Sequence, residues 1–178
     1  LQRLWTPHRM SYIVDAPMKG GEGTSAGSKQ PFIDIPTMSD EEGLIVARGE
    51  QVYAVLNLYP YNPGHLMVVP YRKVSELEDL TEAESSELMT FTQKAIRVMK
   101  AISNPHAFNV GLNLGRIAGA GLPGHLHWHI VPRWNGDTNF MPALADVRVM
   151  PEHMVTTWRK VRDAWQAEDE ERGQNDGV

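Results

Sequence analysis

Apolar and polar positions along the chain switch between two periods, and the switches mark the elements. Leu44–Arg48 and Val52–Asn57 are short aliphatic runs on either side of Gly49-Glu50-Gln51, which predicts a hairpin of two strands. Asn62-Pro63-Gly64 is a stronger turn, because Pro presets φ and Gly permits φ > 0. It launches a third strand, His65–Pro70. Thr81 with Glu84 then forms a capping box ahead of a long helix. Leu88, Phe91, Ala95, Met99 and Ile102 recur at three- and four-residue steps, one buried stripe that Asn104-Pro105 ends. Two further strands, Phe108–Leu112 and Leu126–Val131, are separated by a glycine-bearing loop, and an amphipathic helix follows at Met154–Ala167. Short connections between successive strands predict an antiparallel sheet of about five strands covered by a long helix and a C-terminal helix. The fold class is α+β.

Composition adds the boundaries. Residues 1–18 carry Leu4, Trp5, Met10, Tyr12 and Ile13, enough apolar weight to dock as an N-terminal arm. Residues 19–31 are mostly Gly, Ser, Thr and Lys, which cannot repay their ordering entropy and are expected to form a flexible linker. The folded domain is expected over residues 32–167 and a frayed acidic tail over residues 168–178. A chain of 178 residues with 42% hydrophobic residues supports one core. Cys is 0, so disulfides, thiolate zinc sites and cysteine nucleophiles are excluded, and a reducing, cytoplasmic location is expected. A net charge of -5 gives no broad basic surface for nucleic acid. No apolar run reaches the roughly 18 residues of a membrane span. Arg3 and Arg9 precede no apolar stretch of signal-peptide length.

The chemistry concentrates in one strand. His125-Leu126-His127-Trp128-His129-Ile130 places three imidazoles on one face, about 7 Å apart along the strand, and its apolar residues on the other. Three of the chain's seven histidines on one strand face is hard to obtain from packing, since imidazole has a weak claim on core space. Two chemistries remain open. Three imidazoles can hold zinc with an open position, though a flat strand would have to bend to make them converge. Alternatively the middle imidazole is a nucleophile and its neighbours bind the electrophile. Just upstream, Gly115–Gly124 offers glycines whose backbone N–H groups can cradle phosphate oxygens.

The alternation at His125–Val131 resembles the signature of the histidine-triad superfamily of nucleotide hydrolases and transferases. Leu56-Asn57, Pro63-Gly64-His65 and Leu66–Pro70 are similar to that family's central hairpin, and Asn113 with Gly119–Leu122 to its phosphate loop. The opening Leu4–Met10 and the block Leu56–Pro70 resemble the actinobacterial diadenosine tetraphosphate phosphorylases. That resemblance implies His127 as the catalytic nucleophile, taking the nucleotidyl group as a phosphoramidate, with His129 on the phosphate under attack. It implies that His125 fixes the strand and the tautomer of His127, that His65 supports the triad, and that Asn57 meets the ribose. Asn113 and the backbone of Gly119, Ala120, Gly121 and Leu122 would hold phosphate oxygens. Trp134 either stacks on a base or is an edge aromatic, and Arg116 either contacts phosphate or is solvated.

The implied activity is cleavage of diadenosine tetraphosphate through adenylyl-histidine, with inorganic phosphate as acceptor and ATP and ADP as products. Alternatives are a dinucleoside polyphosphate hydrolase, a nucleoside phosphoramidase and a non-catalytic nucleotide-binding adaptor. No cofactor is implied beyond Mg²⁺ accompanying the polyphosphate, no protein metal site is expected, and a homodimer or higher homo-oligomer is. Two departures matter. The upstream Cys-x-x-Cys zinc pair of many relatives is absent. The phosphate loop offers no hydroxyl side chain after its glycines, so backbone donors must suffice, and the φ > 0 freedom of the loop backbone is expected to matter.

Overall fold

The computed structural model describes residues 30–137 and 152–175. The expected arm and all but the end of the linker lie outside the described residues. The described part opens with a single helical turn, α1 (Pro31–Asp34), and a 3₁₀ turn, Ile35–Thr37. Strands β1 (Ile45–Arg48), β2 (Val52–Leu56) and β3 (Leu66–Pro70) follow. Then come helix α2 (Glu82–Ser103), strands β4 (Ala107–Gly111) and β5 (Trp128–Arg133), and helix α3 (Met154–Asn175). The five strands form one antiparallel sheet in the order β1-β2-β3-β5-β4, so β5 inserts between β3 and the edge strand β4. The expected α+β architecture is the observed one.

The local causes are those the residues dictate. Thr81 Oγ1 accepts the Glu84 amide at 3.2 Å, and the Glu84 carboxylate accepts the Thr81 amide at 2.8 Å. Arg72 grips the same carboxylate at 2.8 and 2.7 Å, holding the Glu84 carboxyl down at about 2. Because this folded-state value lies below the usual 4.5, the pair stabilises the fold above pH 4.5 and loses that effect as pH falls toward 2. Glu84→Gln is therefore expected to cost about 1–2 kcal/mol at pH 7 and less at pH 3, measurable by urea unfolding at the two pH values. Asn104 ends α2 in the left-handed region at φ 43°.

The hairpin turn Gly49–Gln51 is held from a distance. The Glu87 carboxylate on α2 accepts the amides of Glu50, Gln51 and Val52 at 2.9, 2.6 and 2.9 Å. In the Asn62-Pro63-Gly64 turn, His65 N–H closes on the Asn62 carbonyl at 3.1 Å, with Gly64 at φ 74°. A Cβ on Gly64 would also meet the terminal methyl of Met99 at 2.3 Å, a flexible end that can move aside, so it is the positive φ that calls for glycine.

Leu88, Ala95, Val98 and Met99 of α2 and Trp158, Val161 and Trp165 of α3 join Ile130 and the strand aliphatics in one core. Two expectations need correction here. Ile102, placed in the buried stripe, is exposed in the last turn of α2, whose buried residues end at Met99. The acidic tail does not begin as a frayed segment at residue 168: α3 runs on to Asn175. Lys94 pairs with Asp169, and Arg97 Nε donates to Glu168 at 2.6 Å, so α2 holds the extra turns down. Trp158 Nε1 donates to the Ile45 carbonyl at 2.8 Å and fixes α3 over β1. The helices thus cover the sheet face toward which Ile130 points, leaving the alternating positions 125, 127 and 129 on the other.

Candidate active site

β5 begins at Trp128 rather than Leu126, so His125 and His127 sit on the extended approach to the strand and His129 within it. Leu126 N–H still bonds across to the Val74 carbonyl at 2.7 Å, which keeps the alternation. The imidazoles draw together: the rings of His127 and His129 are 4.9 Å apart and nearly perpendicular. Phe32, buried in α1, packs its ring 5.6 Å from His125 and 5.0 Å from His127. The Tyr53 hydroxyl donates to the Phe32 carbonyl at 2.9 Å and holds it there.

Hydrogen bonds assign every proton in the cluster. His125 Nε2 lies 2.8 Å from the Pro70 carbonyl, and His127 Nδ1 lies 2.9 Å from the His125 carbonyl. A carbonyl only accepts, so His127 carries its proton on Nδ1 and keeps a lone pair on Nε2. On the other side, the Tyr61 amide donates to His65 Nδ1 at 3.1 Å. An amide only donates, so neutral His65 carries its proton on Nε2, which reaches His129 Nδ1 at 2.9 Å. His129 therefore presents Nε2–H, a buried donor with no partner among the described residues. Burial lowers the pKa of His125 and His127, and burial with the neighbouring His127 lowers that of His129 to about 4. At neutral pH the His127 Nε2 lone pair stands beside one unsatisfied N–H, on His129 Nε2. A lone pair and a donor so placed have the chemistry of a nucleophile beside an oxyanion donor.

The same bonds bear on metal. They leave lone pairs on His127 Nε2 and His125 Nδ1, two nitrogens rather than a three-imidazole set. Among the described residues no group of three or more His, Asp or Glu side chains is arranged to hold a metal ion.

The other expected residues are distributed around this centre. Asn57 ends β2 with Nδ2 3.4 Å from His65 Nδ1 and Oδ1 accepting the Tyr59 amide at 2.9 Å. Asn113 is half-buried at the start of the glycine loop, and its side chain makes no hydrogen bond among the described residues. Within the loop the amides of Gly119 and Ala120 are used by the turn itself, bonding to Arg116 and Gly115 carbonyls at 3.0 and 3.4 Å. The amides of Gly121 and Leu122 bond to nothing among the described residues. The φ > 0 conformations expected of the loop belong to Gly115 and Gly119, at 77° and 96°, and not to Gly121. Arg116 is exposed. Trp134 is not brought to the histidines; its indole N–H points at the Ser103 carbonyl, 3.3 Å away at the end of α2. Phe32 and Tyr61 join the cluster without having been expected there. Phe32 is the first aromatic after a polar stretch, and Tyr61 sits four residues before His65, the only signals either left.

Comparison with known proteins agrees with this geometry. A family model described as the HIT domain matches residues 39–136. AP-4-A phosphorylase of Mycobacterium tuberculosis is 63% identical over 165 residues, covering 93% of this chain and 85% of that protein. A bis(5'-nucleosyl)-tetraphosphatase [asymmetrical] of Schizosaccharomyces pombe is 40% identical over 84 residues, 47% of this chain and 46% of that one. Among solved structures, a histidine triad nucleotide-binding protein from Sulfolobus tokodaii superimposes with a TM-score of 0.62 over 76% of this chain and 91% of that chain. At 23% identity that likeness speaks to fold alone. With the triad strand, the central hairpin and the glycine loop all inside the matched span, the chain belongs to the HIT domain family.

Proposed function

We propose that this chain is a diadenosine tetraphosphate phosphorylase. The observation that carries it is the lone pair on His127 Nε2, fixed by the Nδ1–H bond to the His125 carbonyl, next to the unsatisfied Nε2–H of His129. His127 Nε2 attacks the α-phosphorus in line; a P–N bond forms, the P–O bond to the rest of the chain breaks, and ATP leaves. The imidazole becomes cationic in the adenylyl adduct, and its Nδ1–H bond to a carbonyl strengthens with that charge. His129 Nε2–H meets the negative charge growing on the phosphoryl oxygens. An oxygen of inorganic phosphate then attacks the same phosphorus, the P–N bond breaks, and ADP is released with His127 restored.

Asn57 at the ribose, Asn113 and the free Gly121 and Leu122 amides on phosphate oxygens complete the proposed substrate contacts, with Mg²⁺ accompanying the polyphosphate. The 63% identity to a named AP-4-A phosphorylase supports phosphate as acceptor. Product analysis decides it. Diadenosine tetraphosphate incubated with phosphate is expected to yield ATP and ADP, with consumption accelerated by phosphate. AMP plus ATP at a rate indifferent to phosphate would make the protein a hydrolase.

We also read the protein as a cytoplasmic homodimer or higher oligomer. β4 ends the sheet, and its residues Ala107, Asn109 and Val110 are exposed, an open edge on which a second strand can pair. Among the described residues no helix is long and apolar enough to cross a membrane.

A further inference from the structure

We propose that Tyr61 is a positioning residue for His129: acting through His65, its backbone amide and its aromatic ring hold the His129 imidazole with Nε2–H turned to the substrate. The proposal rests on the reading of His129 as the phosphate contact, and it concerns a side chain outside the histidine cluster itself.

Tyr61 is 56% exposed, so ordinary core packing does not explain where its ring lies. The ring sits 4.8 Å from His65 at 31° and 6.0 Å from His129 at 33°. His65 and His129 are themselves 5.0 Å apart, so Tyr61 lies against both imidazoles rather than one. Its amide at the same time donates to His65 Nδ1 at 3.1 Å. Ring contact and amide bond therefore reinforce each other, since stacking on His65 keeps the Tyr61 backbone within hydrogen-bond reach.

The consequence follows from the two tautomers open to a hydrogen-bonded imidazole pair. With the amide in place, His65 Nδ1 must accept, His65 Nε2–H donates to His129 Nδ1, and His129 keeps its proton on Nε2. Without it, only the longer contact from Asn57 Nδ2, at 3.4 Å, opposes a proton on His65 Nδ1. His65 Nε2 then accepts, His129 Nδ1 must donate, and His129 Nε2 becomes a lone pair facing the phosphoryl oxygens. That arrangement repels the charge it is meant to stabilise. The ring adds a second effect by covering the pair from water, which favours neutral imidazoles. The titratable groups facing His129 are His65 ahead of β3, His127 just ahead of β5 and the Tyr61 phenol. From β4 its partner is Gly111, and that strand carries no titratable side chain.

The test uses the full chain, with imidazole ¹⁵N NMR on the ligand-free protein and steady-state kinetics on diadenosine tetraphosphate. Wild type is expected to show His129 as the Nε2–H tautomer. Tyr61→Ala should lose that preference and move the His129 protonation midpoint upward by about one pH unit, toward the ordinary imidazole value near 6.5. Its kcat should fall roughly tenfold with KM within about twofold, and the acid limb of the pH–kcat profile should move up with the midpoint. Tyr61→Phe, which keeps ring and amide, should restore all of these. Unchanged His106 signals serve as the check that the fold survives.

An unaltered His129 tautomer and midpoint in Tyr61→Ala would overturn the proposal. A raised KM with kcat preserved would overturn it too, making the ring a substrate contact instead. The NMR result is independent of any substrate. If wild type fails to phosphorolyse diadenosine tetraphosphate while the tautomer still depends on Tyr61, the activity reading falls and the positioning role stands.

Discussion

His127→Asn or His127→Gly is expected to lower turnover of diadenosine tetraphosphate by on the order of 10³–10⁵, while nucleotide binding stays measurable. Losing a covalent catalyst removes the reaction path, and neither neighbour presents an Nε2 lone pair in its place. His125 has its Nε2 committed to the Pro70 carbonyl, and His129 has its only lone pair committed to His65. His129→Asn should cost less, about 10²-fold, because it removes one donor from a path that survives. An alkaline denaturing quench, which spares the acid-labile P–N bond, followed by mass spectrometry separates the two. An AMP adduct is expected on wild type and, more slowly, on the His129 variant, and none on either His127 variant. The pH dependence carries the same signature. Burial lowers the His127 pKa, so its proton goes on only at a pH below that of a free imidazole. The nucleophile therefore stays unprotonated as pH falls through 6.5, and kcat should hold there before declining at lower pH. Near-native turnover without His127 would end the covalent mechanism.

The triad was legible because it follows the strictest rule a strand has, the two-residue period, and because imidazole rarely fills that pattern for packing reasons. The long helix was legible for a similar reason: Thr81 and Glu84 form a local pair three residues apart, and their bonds are the ones observed. What escaped depends on partners far along the chain. The hairpin turn at Gly49–Gln51 looks weak in isolation because Glu87, more than thirty residues later, supplies its acceptor. The extension of α3 to Asn175 looks like a charged tail until Lys94 and Arg97 are placed beside Asp169 and Glu168. Phe32 and Tyr61 reach the histidines only through the fold: one from a short turn ahead of the sheet, the other from a loop between two of its strands. Proton positions were the least legible of all, since they depend on which carbonyl or amide each ring nitrogen meets.

The glycine loop divides along the same line, and it carries the second large prediction. That glycines are needed is a local statement; which of them takes a left-handed conformation is a property of the folded turn. Gly119 sits at φ 96°, and its amide and that of Ala120 close the turn onto Arg116 and Gly115. Ala120 is buried, so the turn is anchored and cannot relax freely around a new side chain. A β-branched residue at such a φ is a steric outlier, at a cost of about 1–2 kcal/mol or more. Gly119→Val should therefore rebuild the turn and displace the neighbouring Gly121 and Leu122 amides, the donors proposed for phosphate. At about 1.4 kcal/mol per tenfold, the loss in phosphate-dependent turnover should be roughly 5–30-fold, with nucleotide affinity less affected. Gly121 has an ordinary φ, and a Cβ there meets no protein atom within 4 Å. Gly121→Val should leave the turn intact and cost less than Gly119→Val. Rates at saturating dinucleotide over a series of phosphate concentrations give the comparison directly. A larger loss of phosphate dependence in Gly121→Val than in Gly119→Val would mean that the ligand itself fills the space beside Gly121, and that its missing side chain, rather than the left-handed turn at Gly119, shapes the phosphate site.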